Sequence, residues 1–462
     1  MRGSGLLAGI GLCVAALGGC QSVYNLPQNQ PLAGPLQAAP LGAEVPSSTD
    51  DIMMSLAFSG GGTRAAAFSF GVLTELDRTR IRSRGQNVSL LDRVDFVSGV
   101  SGGSVTAAYY GLKKRAALDD FRERFLLRNA EESLNTRVSV VNIGRAIGGG
   151  LNVDTHLTGW LDDNLFGGAT FAEFRTDRRP RIWINASDIY NRTPFVFGKT
   201  AFDAMCSDLL SYKISEAVAA SAAVPVLFAP IQLETYPGRC QTRLPDWIVR
   251  ARDDRNAQPL LRDFAQAIDS YHSGKQRYIK LLDGGLVDNY GLSGFSIALL
   301  SASRPYEPLS PQQAARMRKV FFLIADAGRG PSGDWAQRLE GPTGVDLVMA
   351  TADTATEAGT RASYTAFRSL MNDWATKVRR WRCGLSAAER TRLGVGPGWR
   401  CNDLSVYVER VGFDQFERSR ADVLNAIPTR FQLPPQSVDA LIAAGAEAVR
   451  NNPTFQTFRR GL

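Results

Sequence analysis

The stretch Gly99-Val100-Ser101-Gly102-Gly103 fits the pattern G-x-S-x-G, in which a serine hydroxyl on a sharp turn attacks a carbonyl carbon. The bare pattern is weak, because a chain with 44 glycines meets it by chance ~0.3 times. Its setting strengthens it. The strand candidate Val94-Asp95-Phe96-Val97 leads into it and a helix candidate from Ser104 to Lys114 leads out. That helix would aim its amides and positive dipole end at the serine. A second turn, Ser59-Gly60-Gly61-Gly62-Thr63-Arg64, has the same setting, between the strand candidate Ile52 to Phe58 and a helix candidate from Thr63 to Asp77. Bare glycine amides there suit an anion, either a phosphate or a transient oxyanion. The spacing matches neither G-x-G-x-x-G nor the P-loop, so the readings are an oxyanion hole serving Ser101 or a plain packing loop.

A reactive serine needs a base. The chain has two histidines, His156 and His272. Neither carries a motif, and neither follows Asp283, as the chain order Ser…Asp…His would require. Asp283 itself ends the apolar strand candidate Tyr278 to Leu282 and precedes Gly284-Gly285, a position suited to the mouth of a site rather than a core. Asp288 and Asn289 follow, either shaping that mouth or forming a simple turn.

With Asp283 in view, the chain resembles the patatin-like phospholipase family over about residues 52–330. The resemblance rests on a glycine-rich loop, a G-x-S-x-G serine and a D-G-G aspartate in this order. Ile184-Asn185-Ala186-Ser187-Asp188 and Ala219-Ala220-Ser221-Ala222-Ala223-Val224-Pro225 resemble further family segments. It implies Ser101 as nucleophile and Asp283 as general base, without a catalytic histidine. It implies amides around Gly60, Gly61 and Gly62 as oxyanion hole, with Arg64 bracing their loop. The chain departs from the common pattern at Ser59, where many members have aspartate, and at Ala65, where many have glycine. A carboxylate of ordinary pKa, ~3.9, is a weak base, so the proton must leave Ser101 as the new bond forms. Burial of Asp283 would raise its pKa and help.

Strand, tight turn and helix, twice over, argue a parallel sheet with helices on its faces. Further strand candidates are Arg181 to Asn185, Thr193 to Gly198, Lys319 to Ala325 and Leu404 to Glu409; Asp346 to Trp374 and Pro435 to Val449 read as helices. The polar residues 240–275 read as a surface excursion. The expected fold is α/β, a mostly parallel sheet flanked by helices in three layers, with a C-terminal extension packed on the core. The divisions are 1–19 signal peptide, 20–50 flexible tether, 51–330 acyl hydrolase domain and 331–462 extension of mixed helix and strand.

Met1-Arg2, the apolar run Leu6 to Leu17 and Leu17-Gly18-Gly19-Cys20 read as a secretory signal ending in a sequence that resembles a bacterial lipobox. The resemblance makes Cys20 the lipidated first residue of the mature chain. Gln21 then favours an outer-membrane location facing the periplasm. Residues 21–50, rich in Pro, Gln, Ala, Gly and Ser, read as the tether. With Cys13 in the signal, Cys206, Cys240, Cys383 and Cys401 remain. An exported protein permits disulfides, and of three pairings the preferred one is sequence-local: Cys206–Cys240 and Cys383–Cys401.

The net charge of +8 is compatible with anionic lipid, while no nucleic-acid motif is present and no Cys/His cluster has metal-ligand spacing. No cofactor is implied. Trp374 to Arg382 interleaves indoles and cations, which fits either a membrane interface or a solvated helix face. The leading expectation is an envelope-tethered serine acyl hydrolase cleaving phospholipid or other lipid acyl esters through a Ser-Asp dyad. An esterase or an acyltransferase using the same acyl-enzyme, or a non-catalytic lipid-binding lipoprotein, are the alternatives. Oligomeric state is not encoded legibly.

Overall fold

A computed structural model describes residues 24–33, 51–83, 85–133, 155–174, 179–225, 227–240, 243–330, 334–460 and 462. Cys13 and Cys20, the signal segment and most of the expected tether lie outside them.

The chain opens the sheet with β1 (Ile52–Phe58), turns through the glycine loop and enters α1 (Gly62–Arg78). A small hairpin of β2 (Arg80–Ser83) and β3 (Gln86–Ser89) leads to β4 (Val94–Val100) and α2 (Gly102–Lys113). Then come β5 (Arg181–Asp188), β6 (Thr193–Phe197), α3 (Ile214–Ser221) and β7 (Ile231–Glu234). Two helices follow, α4 (Asp246–Asp253) and α5 (Pro259–His272), then β8 (Tyr278–Asp283) and the short α6 (Gly285–Asp288). The chain ends with β9 (Lys319–Asp326), the long α7 (Gly344–Cys383), β10 (Ser405–Gly412), α8 (Pro435–Asn451) and α9 (Pro453–Arg460).

The main sheet runs β10-β9-β1-β4-β5-β8-β7, with β6 also on β5. From β10 to β5 the pairing is parallel; β6 and β8 run antiparallel to β5, and β7 antiparallel to β8. Strand β4 is buried along its whole length, as a central parallel strand covered on both faces must be. One face packs against α1, α2 and α8, and the other, through Phe322 and Ile324, against Phe367, Met371 and Trp374 of α7. Helices α1 and α8 meet at two glycines. A methyl on Gly71 would lie 2.1 Å from the Ile442 carbonyl oxygen, and one on Gly445 2.1 Å from that of Phe68.

The extension is therefore woven into the core: β10 pairs with β9 from Ser405 to Gly412, and Phe458 of α9 stacks on Phe321. Residues 240–275 correct the expectation of a surface excursion. Helix α5 buries Leu261, Phe264, Ala265, Ile268 and Tyr271 on one stripe. Of the expected tether, residues 24–33 are docked on the domain through the buried Asn25 and Asn29. Cys206 is bonded to Cys240 and Cys383 to Cys401.

Candidate active site

Strand register brings Ser101 and Asp283 together. Val100 at the end of β4 pairs with Asn185, and Asp283 at the end of β8 pairs with Ala186, the next residue of β5. The two antiparallel strands thus meet end to end along one edge of β5. Across this gap the Ser101 hydroxyl faces the Asp283 carboxylate, close enough to help hold its pKa down.

The serine sits on a strained elbow, with φ 51° and ψ −125°, a region costly for any residue with a side chain. Close packing holds it there. A methyl on Gly99 would lie 2.6 Å from the Ser104 Cα, one on Gly102 1.9 Å from the Gly62 oxygen, and one on Gly103 2.5 Å from the Ser59 oxygen. The Ser101 amide donates to the Ser221 hydroxyl (2.8 Å), which donates to the Asn185 carbonyl (2.6 Å). Ser104 Oγ donates to the Ser101 carbonyl (2.6 Å).

The acid is pinned by its backbone. The Asp283 amide donates to Ala223 O (2.8 Å) and that of Gly284 to Ser221 O (3.1 Å). The Gly285 amide donates to Asp283 Oδ1 (2.8 Å). Burial pushes the Asp283 carboxyl up to about 6, while the Gly285 amide and the Ser101 hydroxyl hold it down. His156 is exposed and His272 ends α5; the groups that tune the Asp283 carboxyl are the Gly285 amide and the Ser101 hydroxyl.

The glycine loop departs from expectation at one residue. The Gly60 amide is occupied, donating to both the carbonyl (3.1 Å) and Oδ1 (3.2 Å) of Asn289. Gly60 instead makes room, since a methyl there would lie 2.5 Å from Asn289 Oδ1 and 3.4 Å from the Ser101 Cβ. The Gly61 and Gly62 amides donate to no acceptor among the described residues, which leaves them free to receive an anion. Both residues have positive φ, 137° and 59°, open to glycine at little cost.

Arg64 is buried under this loop, its Nη1 donating to Ile427 O (3.0 Å) and its Nη2 3.4 Å from where a Gly61 methyl would sit. Burial, with Arg329 adding to it, pulls its pKa down to about 9. Ser59 braces the loop from the other side. Its hydroxyl accepts from the Ala327 amide (2.9 Å) and donates to Gly60 O (3.1 Å). Ala65 is an ordinary helical residue whose methyl is accommodated in the core.

Asn289 thus shapes the site rather than forming a simple turn, and Ser221 and Asn185, which carry no chemical motif, join it. The segments holding Asn185 and Ser221 were visible as family-like text, but their bonds to Ser101 depend on contacts far along the chain. The stretch Trp374 to Arg382 has an interior role. Trp374 Nε1 donates to Glu307 O (2.9 Å), and the fully buried Arg382 donates to Met317 O (2.7 Å), Arg400 O (2.9 Å) and Asp403 (2.5 Å). No group of metal-ligating side chains occurs among the described residues.

A family model for patatin-like phospholipases matches residues 56–296, just over half of the chain and inclusive of every turn described above. The chain belongs to the patatin-like phospholipase family. The patatin-like match ends in the helix after Asn289, so β9, β10 and α8 complete the sheet and its cover from outside it. Among solved structures, human GIVD cytosolic phospholipase A2 aligns with TM-score 0.43 and 10% identity, over 90% of this chain and 62% of that one. The same enzyme with methyl gamma-linolenyl fluorophosphonate gives 0.35 and 12%, over 90% and 59%. VipD from Legionella pneumophila gives 0.27 and 14%, over 92% and 71%. This patatin-like chain thus spans about 62% of the human enzyme's length. No curated protein gives a significant match.

Proposed function

We propose that this chain is a lipid acyl hydrolase that cleaves phospholipid or another lipid acyl ester through a Ser101–Asp283 dyad. The observation that carries the reading is the buried Asp283 carboxylate facing the Ser101 hydroxyl across the ends of β4 and β8, beside the Gly61 and Gly62 amides, which donate to no acceptor among the described residues.

Ser101 Oγ attacks the ester carbonyl carbon while Asp283 takes its proton. The carbonyl π pair moves onto oxygen, and the Gly61 and Gly62 amides meet that oxyanion; such a donor is typically worth ~2.7–4 kcal/mol. Collapse expels the alcohol, which leaves with the proton from Asp283, and Ser101 holds the acyl group. Water attacks next, Asp283 accepts its proton, and collapse releases the fatty acid and restores the serine. A carboxyl raised to about 6 is a better base than an ordinary aspartate and is still ionised at neutral pH.

The signal-like start and the Leu17-Gly18-Gly19-Cys20 sequence support a lipoprotein of the bacterial envelope, anchored through Cys20 and facing the periplasm. An anchor raises the effective concentration of the site at an insoluble substrate.

Incubating the full chain with phospholipid vesicles in ¹⁸O-water tests the reaction. Hydrolysis predicts fatty acid carrying ¹⁸O in its carboxyl group, lost in Ser101→Ala. Acyl groups appearing on an added alcohol, with no labelled acid, would make it a transferase. No product at all would leave a binding protein.

A further inference from the structure

Residues 24–33 form a strap along the free edge of β7. Asn25 Nδ2 donates to Ala229 O (3.0 Å) and Pro230 O (3.1 Å). Asn29 accepts from the Glu234 amide (2.9 Å) and donates to Glu234 O (2.8 Å) and Ser207 Oγ (2.9 Å), so it completes the unpaired end of the strand. The Leu32 amide donates to Cys206 O (2.8 Å), at the residue clamped by Cys240. Both asparagines are buried, and each spends its polar atoms on the domain.

The strap begins on the loop that runs on from the site. Ala229 lies six residues past Ala223, whose carbonyl holds the Asp283 amide (2.8 Å). The same loop leaves α3 at Ser221, whose hydroxyl holds the Ser101 amide. Between Cys20 and Asn25 there are at most ~17 Å of extended chain. A free segment from Cys20 to residue 50 could have reached ~100 Å.

We infer that the strap fixes the orientation of the domain on the bilayer, holding the lipidated Cys20 beside the mouth of the site so that the surface carrying the anchor is the surface that Ser101 faces. The inference rests on the lipoprotein and acyl-hydrolase reading above.

Independent observations agree with a lipid surface as the occupant. Leu26 on the strap and Leu227 on the neighbouring loop are exposed. Helix α7 runs beside β9, with Phe367 against Phe322 in mid-strand and Glu357 Oε1 3.3 Å from a methyl position on Gly328, just past the strand end. The thirteen residues from Gly344 to Thr356 therefore extend ~20 Å beyond the sheet on the edge that carries Ser101. Leu347 and Val348 are about half exposed on that overhang. Water-exposed leucine and valine on a helix end are stabilised by entering an acyl layer.

The test uses the acylated full chain in phosphatidylethanolamine/phosphatidylglycerol vesicles. Intact mass first reads the acyl groups on Cys20. Hydrogen–deuterium exchange then maps the covered face. Protection is expected in peptides covering residues 24–30, 224–229 and 344–350. The double variant Asn25→Ala/Asn29→Ala should keep its acyl mass and its rate on a soluble short-chain ester. It should lose roughly tenfold on vesicle phospholipid, as the tether lengthens from about five residues to about thirty. A Gly-Ser insertion between Ser22 and Val23, which leaves the strap's bonds intact, should lower the vesicle rate in the same way. Protection confined to the β10 edge, or an unchanged vesicle rate in both variants, overturns the inference while leaving the hydrolase reading standing. An unacylated Cys20 overturns the anchor reading and this inference together; loss of the soluble-ester rate in Ser101→Ala tests the hydrolase separately.

Discussion

The Ser101 hydroxyl faces the Asp283 carboxylate across the point where β4 and β8 meet end to end on β5. Burial raises that carboxyl to about 6, and a base must be ionised to accept a proton. The kcat/KM for a soluble ester is therefore expected to rise with pH as a single ionisation centred near 6 and to level off above it. A profile flat from pH 5 to 8 would contradict this.

Raising the pKa of Asp283 in the folded state has a cost in stability. Its ordinary value is 3.8, so the folded protein holds the proton more tightly than the unfolded one. Stability contributed by this group is present below about pH 4 and is lost as pH rises through 6, by about 3 kcal/mol for a shift of roughly two units. Asp283→Asn, which cannot ionise, is expected to be inactive yet more stable than wild type at pH 8, by up to about 3 kcal/mol. The difference should vanish near pH 4, and urea melts at the two pH values check it.

Asn289 joins the glycine loop to the acid turn. Its Oδ1 accepts from the Gly60 amide (3.2 Å) and would lie 2.9 Å from a methyl on Gly285. Asn289→Asp keeps the acceptor and adds a charge near Asp283. A neighbouring like charge raises a carboxyl pKa, so the midpoint of the pH–rate profile should move up by about one unit. Pure loss of rate with an unmoved midpoint would mean that Asn289 only holds the loop.

Away from the site, Gly445→Ala would push a methyl to 2.1 Å from the Phe68 carbonyl oxygen and force α8 off α1. Overpacking of this kind costs about 1–3 kcal/mol, readable as a lowered denaturation midpoint. The dyad lies on other elements, so the rate on a soluble ester at low temperature should hold.

The legible parts of the sequence were those whose signal is local. The two strand–turn–helix units carrying Gly60 to Gly62 and Ser101 read directly, because apolar run, glycine turn and helical spacing sit side by side. Strand β7, Ile231–Glu234, escaped because four residues ending in a charge carry little periodic signal. Helix α5 does carry a local signal, since Leu261, Phe264, Ala265 and Ile268 recur at helical spacing among polar neighbours. The engaged amide of Gly60 depends on Asn289, 229 residues away, and no local pattern encodes that contact. The strap reads as low-complexity linker because its bonds run through two asparagines to partners about 200 residues distant.

The central claim is that Ser101 is a nucleophile activated by Asp283 alone. A fluorophosphonate probe reacts with activated serines and leaves a stable adduct, so the Asp283→Asn arm reads what activates Ser101. Full-length wild type, Ser101→Ala and Asp283→Asn are exposed to it side by side, and peptide mass locates the adduct. One adduct on Ser101 in wild type, and none in either variant, is the predicted result. An adduct on another residue, or equal labelling of Asp283→Asn, would contradict it.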